Sequence, residues 1–413
     1  MKSFKKTLLM MLTILILSAN IVLADETTNE TLNLSVSSAI SYDMETDEII
    51  YTLNIDKKIY AASITKVMTA LLLAENMEKT DMLVYTESAA KQPAYSYREN
   101  VQYIAIGDKI RADYVMDMLL LYSANDIAYV IADNVAGNTE NFMKMMNDKA
   151  IELGMKNTHY ETANGLDKDY PEHVTTAYDL MRLFKAAYEN PWVRESMNKE
   201  KSIVKSLNTP SRTLTNRNKN LNKAGCIGGK TGYTDRAGRC LGAIYERNGR
   251  KIISIVLNSK NLFEDVEKLA DYSYSAKKVL YIPKGGILKT IEQPYKPVPL
   301  LDVSLMAEIP IYLKEDLKYY KNDIAPELTY NDSDVDVWRL NNNTPFTSVT
   351  LTLRDYSCEY DAFTDITIKE ILKADFKEII NQILPKSNDE KNSIDNWIDN
   401  PNNNISSSFF FIN

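Results

Sequence analysis

The pair Asn248-Gly249 stands between two apolar runs, 241–245 and 251–257. Both residues tolerate the positive φ that a tight two-residue hairpin turn demands, so the spacing predicts two antiparallel strands late in the chain. A strand, turn and second strand are read near the other end, over 38–51, where short apolar stretches flank the polar run 43–48. Between these ends the period changes. Ile64, Val67, Met68, Leu71 and Leu72 recur at i, i+3, i+4, i+7 and i+8, one continuous helical stripe beginning near Ser63. Further helices are expected at 112–122, 126–135, 140–153 and 177–189, with Gly137 and Gly154 at stops, and another at 264–280. Strand pairs on both sides of a helical middle predict an α/β or α+β domain whose antiparallel sheet is assembled from distant parts of the chain.

That domain is assigned to residues 25–283, because the proline-rich stretch 282–299 places a boundary near 284. Residues 284–366 alternate β-prone runs such as 303–309 and 348–353 with Asn- and Asp-rich turns, and read as a small β-rich domain. Ile368, Ile371, Leu372, Phe376, Ile379, Ile380, Ile383 and Leu384 then form an apolar stripe opposite Lys369, Lys373 and Lys377. An amphipathic helix is therefore expected over 367–386, suited either to peripheral membrane contact through residues 368–384 or to packing on the β-rich domain. Residues 387–413 are dominated by Asn, Asp and Ser and read as a disordered tail. At the other terminus Lys2, Lys5 and Lys6 precede an apolar run at 8–17, and Ala24 closes a small-residue site. Residues 1–24 thus read as a signal peptide, and the chain as exported.

The 48 basic and 56 acidic residues give a net charge of −8, and removal of 1–24 leaves 45 against 56, or −11. No global positive field exists to hold a phosphate backbone, so nucleic acid is excluded as a partner. Two histidines and three cysteines leave little material for a metal site or a thiol/imidazole pair. Any disulfide would be an isolated staple, and Cys240, opening an apolar strand, reads as a buried free thiol. An enzyme made from this chain must run acid and base chemistry almost without imidazole.

Ser63-Ile64-Thr65-Lys66 offers a way to do so. The serine sits at the expected start of a helix and the lysine one turn on, so both project from one face. A lysine becomes a base if burial and a neighbouring cation favour its neutral amine, and the apolar stripe with Lys230 supplies both. Ser-x-x-Lys alone is weak, since it recurs at Ser3, Ser88, Ser196, Ser202 and Ser275, and Ser-x-Asn is equally common. Lys230-Thr231-Gly232 occurs once. Ser123-Ala124-Asn125 falls between two helices, where a hydroxyl can pass a proton to a leaving amine and the amide can hold a carbonyl or the lysine. Lys230-Thr231-Gly232-Tyr233-Thr234 reads as an edge strand, with Gly232 allowing a substrate backbone to approach and Thr231 and Thr234 placed to receive a carboxylate. The backbone N–H groups of Ser63 and Tyr233 would form an oxyanion hole.

This ordered trio resembles that of the low-molecular-mass penicillin-binding proteins, the serine-type D-alanyl-D-alanine carboxypeptidases. Six stretches carry the likeness in family order: 62–69, 121–126, 153–159, 164–167, 175–180 and 229–238. The resemblance implies an α+β, β-lactamase/transpeptidase-like fold, an antiparallel sheet with helices on both sides and a helical subdomain. It also implies an acyl-enzyme on Ser63, formed with Lys66 as base and Ser123 as proton relay. Asn125, Lys230, Thr231, Gly232, Tyr233 and Thr234 would bind substrate. Peptidoglycan stem peptides ending in D-Ala-D-Ala and β-lactam antibiotics are the implied partners, at the cell wall or outer face of the cytoplasmic membrane, with no cofactor. The family's usual proline two residues before the nucleophile is Ala61, the middle of Ser-x-Asn is Ala124, and a family arginine falls at Leu262, with Lys260 as a substitute. A non-catalytic wall-binding protein and a β-lactamase are the competing readings. The β-lactamase is disfavoured because Glu161 lacks the Glu-x-x-x-Asn spacing relative to Asn164.

Overall fold

A computed structural model of the chain describes residues 32–92, 95–297, 304–331, 336–341 and 343–383. The signal peptide expected at 1–24 and the tail expected at 387–413 lie outside the described residues. The central feature is a five-stranded antiparallel sheet, ordered Ile49–Leu53, Ser38–Asp43, Arg250–Ser259, Gly238–Arg247, Cys226–Thr234. Asn248 and Gly249 make its late hairpin with φ of 53° and 86°. Early and late chain meet where Ser38–Asp43 runs antiparallel to Arg250–Ser259, with Ile40 opposite Ile255.

Successive side chains along these strands point to opposite faces, and both faces are covered. Ile40, Ile244, Ile253 and Ile255 join the main core with Val67, Leu71, Leu180 and Phe184 from the helices. Ala39, Leu241, Ala243 and Val256 pack beneath Val266, Leu269 and Ala270 of the helix Leu262–Ser275. The helix Lys66–Asn76 runs through the interior, with Lys66 through Leu73 all buried. Asn125–Ala136, Thr139–Glu152 and Ala177–Glu189 surround it.

Some boundaries differ from the sequence reading. The helix expected at 112–122 is α-helical only over Ala112–Asp117, then widens to a π-turn at Met118–Tyr122 and stops where Ser123 turns left-handed at φ 71°. The helix expected to reach 280 ends at Ser275, because Val279–Ile282 pairs as a strand with Leu317–Tyr319. A partner nearly forty residues away overrides the local helical period there. The helix Pro191–Asn198 and two short antiparallel strand pairs, Met82–Val84 with Lys109–Arg111 and Lys201–Val204 with Arg212–Thr215, have no counterpart in that reading.

Beyond residue 284 the chain forms a second antiparallel sheet, ordered Ile287–Tyr295, Leu305–Leu313, Tyr356–Phe363, Thr347–Leu353, Glu327–Tyr330. The following helix, Ile368–Ile383, places Ile368, Ile371 and Leu372 against Tyr295, Leu305, Ile309 and Val337. Those members of the apolar stripe are engaged in packing on the β-rich part, so they are not left to meet a lipid surface. Among the described residues no helix is long and apolar enough to cross a membrane. The hairpin tip Arg354-Asp355 ties the two sheets' regions together: Arg354 donates to Asp56 at 2.9 Å and covers the Tyr178 ring at 3.6 Å, while Asp355 pairs with Arg182. All three cysteines are free, with Cys226 and Cys240 buried.

Candidate active site

Ser63 sits in the 3-10 turn Ala62–Thr65 that precedes the α-helix Lys66–Asn76, a tighter start than a plain helix N-terminus. The preceding Ala62 has φ 50°, which swings the turn toward the edge strand Cys226–Thr234. Gly232 permits that approach, since a Cβ there would lie 2.6 Å from the Ala61 carbonyl and 3.1 Å from the Ser63 nitrogen. The backbone that comes close to Gly232 is that of the turn carrying Ser63.

Lys66 is wholly buried, and its Nζ donates to Ser63 Oγ at 2.9 Å, Asn125 Oδ1 at 2.8 Å and the Asn164 carbonyl at 2.6 Å. Burial pushes its pKa well below the ordinary lysine value, Lys230 and Arg217 push it further, and Asp126 opposes. Lys230, also buried, donates to Ser123 Oγ at 2.8 Å and to the Thr231 carbonyl at 2.9 Å. Burial first and Arg217 second bring its pKa down to about 7. Two lysine–serine pairs thus face each other, one from the first helix and one joining the π-turn's end to the edge strand. The left-handed conformation of Ser123 is costly for a residue with a Cβ, and such strain concentrates where side-chain aim matters.

These groups open on a cleft of about 1220 Å³, walled by Ser63, Ser123, Asn125 and Thr231 through Thr234 and, across from them, by Leu166, Asp167 and Lys168. Tyr233 is exposed at its rim, its hydroxyl donating to Asp235 at 3.0 Å. The Thr234 hydroxyl donates to Asp167 Oδ2 at 2.6 Å and accepts from the Ala237 N–H at 3.0 Å, so a substrate carboxylate there would compete with Asp167 for its proton. Thr231 makes no such bond and keeps that role open. Leu262 lines the cleft but packs with the apolar cluster beneath its helix, whereas Lys260 beside it is exposed.

Several residues in this arrangement escaped the sequence reading. Arg217 enters the cleft wall between Tyr122, 4.6 Å from its ring, and Tyr95, 5.9 Å away, and among the described residues it pairs with no carboxylate. Asp126 accepts from the Tyr97 N–H at 2.6 Å, the Arg98 N–H at 3.0 Å and the Tyr85 hydroxyl at 2.9 Å. Asn164 contributes its carbonyl rather than its side chain, which no residue-type motif reveals. An arginine between two asparagines at 216–218 is the only local signal for Arg217.

Gly165, at φ 84°, lies against the turn that carries Ser63: a Cβ there would fall 1.9 Å from the Ala62 carbonyl. Gly165→Ala should displace the loop that presents the Asn164 carbonyl, lowering acylation at least about 100-fold and stability by about 1–3 kcal/mol. Stopped-flow acylation and thermal unfolding would check it, and a variant with wild-type acylation would refute the assigned packing.

Residues 25–261 match the model of the peptidase S11 family, D-alanyl-D-alanine carboxypeptidase. The D-alanyl-D-alanine carboxypeptidase DacF of Bacillus subtilis is 26% identical over 242 residues, 58% of this chain and 62% of DacF. The chain thus spans less than two thirds of that relative's length. Penicillin-binding protein D2 from Listeria monocytogenes, solved in an ampicillin-bound form, is 31% identical with a TM-score of 0.53, covering 59% of this chain and 99% of the solved one. The D-alanyl-D-alanine carboxypeptidase DacD from Francisella tularensis, 20% identical, shares the fold over 81% of this chain and 94% of its own, with a TM-score of 0.59.

Proposed function

The chain belongs to the peptidase S11 family, D-alanyl-D-alanine carboxypeptidase, and from that premise we propose that it removes the terminal D-alanine from peptidoglycan stem peptides through an acyl-enzyme on Ser63. The observation that carries this reading is the wholly buried Lys66 amine 2.9 Å from Ser63 Oγ. With its pKa depressed, that amine takes the Ser63 proton as Oγ attacks the carbonyl of the penultimate D-alanine. The backbone N–H groups of Ser63 and Tyr233 hold the oxyanion. The tetrahedral intermediate collapses as the departing D-alanine nitrogen takes a proton from the Ser123 hydroxyl, which Lys230 orients from 2.8 Å, while the proton that Lys66 took from Ser63 passes to Ser123, so that the relay is a hydroxyl and Lys66 a neutral amine again. Water then hydrolyses the ester with Lys66 again as base.

Asn125 accepts from Lys66 and lines the cleft, which supports its place in the substrate-binding set. Thr231, with Arg217, Lys219, Arg239 and Lys260 along the same cleft, supplies the field for the substrate's terminal carboxylate. Lys260 and Arg239 lie where Leu262 offers no charge. A β-lactam, whose amide carbonyl occupies the same position, would acylate Ser63 and persist. The β-lactamase alternative is weakened because the Glu161 carboxylate accepts from the Glu172 N–H at 3.0 Å on the surface and does not line the cleft. The exported chain would act on the cell wall, outside the cytoplasm.

Incubation with a reporter penicillin and with a pentapeptide ending in D-Ala-D-Ala tests the proposal. A long-lived adduct and D-alanine release are the expected results. An adduct without release would instead make the chain a non-catalytic binder, rapid drug turnover a β-lactamase, and no adduct would refute the acyl-enzyme.

A further inference from the structure

The second histidine is only 3% exposed and lies behind the cleft. His173 Nδ1 accepts from two successive backbone N–H groups, Glu161 at 3.0 Å and Thr162 at 3.3 Å. With both donors aimed at Nδ1, the ring proton belongs on Nε2, which donates to Thr65 Oγ1 at 2.9 Å. Thr65 precedes Lys66 in the chain. Thr162 in turn closes the loop, its hydroxyl accepting from the Gly165 N–H at 3.1 Å and donating to the Leu166 carbonyl at 3.2 Å. That loop delivers the Asn164 carbonyl to Lys66 Nζ, and Thr69 fastens it by donating to the Ala163 carbonyl at 2.6 Å.

We infer that His173 is a positioning residue for acyl transfer, a buried neutral imidazole that staples the 161–166 loop to the nucleophile's turn and so keeps the Asn164 carbonyl on the Lys66 amine. The inference rests on the acyl-transfer reading above. The imidazole is not itself the base, because both ring nitrogens are engaged and burial, with smaller contributions from His159 and Lys66, lowers its pKa to about 4. Its effect on Lys66 is indirect. Burial is the largest influence on the Lys66 amine, and a loosened loop admits water to it, while Lys230, Arg217 and Asp126, the charged groups around that amine, stay in place.

The test measures reporter-penicillin acylation of the full chain across pH. His173→Ala should cut the acylation rate constant about 100-fold, with initial binding little changed because the Thr231 and Arg217 wall is untouched. The acid limb of its pH profile should move to higher pH, since a wetter Lys66 holds its proton longer. His173→Asn, whose Oδ1 can stand in for Nδ1, should recover to within about tenfold of wild type, and Thr65→Val, which removes only the Nε2 arm, should lose about tenfold. A folded His173→Ala variant with the wild-type rate and limb overturns the inference. Should that variant fail to fold, wild-type rates in both His173→Asn and Thr65→Val overturn it equally. A wild-type chain that never labels on Ser63 overturns the acyl-transfer reading and this inference together, whereas normal wild-type labelling with unaffected variants overturns this inference alone.

Discussion

Ser63→Ala should abolish covalent labelling by penicillin and lower D-alanine release by at least about 10⁴-fold, the scale of loss when a serine nucleophile is removed. The substitution deletes one hydroxyl at the cleft and leaves Lys66 with two of its three acceptors, Asn125 Oδ1 and the Asn164 carbonyl. Thermal stability should therefore change by no more than about 1 kcal/mol, the net worth of one hydrogen bond. Intact-mass measurement after penicillin treatment, a D-alanine release assay and thermal unfolding together check it. Persistent labelling at full rate would move the nucleophile elsewhere.

Lys66→Met removes the proposed base and should slow acylation about 10²–10⁴-fold while leaving Ser63 in place. Its pH signature separates this loss from general damage. In the wild type, acylation should climb as Lys66 loses its proton, at a pH well below the ordinary lysine range, because burial and the Lys230 and Arg217 cations favour the neutral amine. Lys230→Ala removes one of those cations, so Lys66 holds its proton more tightly and the acid limb moves to higher pH. A limb that stays fixed in Lys230→Ala would show that the pair is not coupled.

The same lysines bear on stability, with a definite sign. Lys66 and Lys230 have depressed pKa values in the fold, about 7 for Lys230, but titrate near 10.5 once unfolded. Between those limits the unfolded chain binds more protons, so folding stability from these groups rises as pH increases toward 10.5. Lys66→Met should flatten that rise. Denaturant titrations at pH 7 and 9.5 would reveal it, and an unchanged slope would contradict the burial assigned to Lys66.

Local pattern made much of the frame legible. The Asn248-Gly249 hairpin, the stripe from Ile64 to Leu72 and the Ala177–Glu189 helix each follow from side-chain period and turn chemistry, which neighbouring residues determine. The boundaries that moved did so where a distant partner outweighed local preference, as when Val279–Ile282 left the helical period to pair with Leu317–Tyr319. The site divides the same way. Residue type and spacing singled out Ser63, Lys66, Ser123, Asn125 and Lys230, and the structure brings them together. That the Thr234 hydroxyl donates to Asp167, 67 residues away, is beyond the reach of local pattern.

By itself, the scarcity of imidazole together with Ser-x-x-Lys, Ser-x-Asn and Lys-Thr-Gly in order determined that any acyl chemistry here must rest on lysine. Spacing along the chain, however, specifies neither burial nor field. Only the tertiary structure closed apolar surface over Lys66, set Arg217 and Lys230 beside it, and swung the 161–166 loop in so that a backbone carbonyl and a buried histidine complete its surroundings. An amine becomes a base through the energy of its charged form, and that energy is fixed by which groups and how little water the folded chain leaves around it.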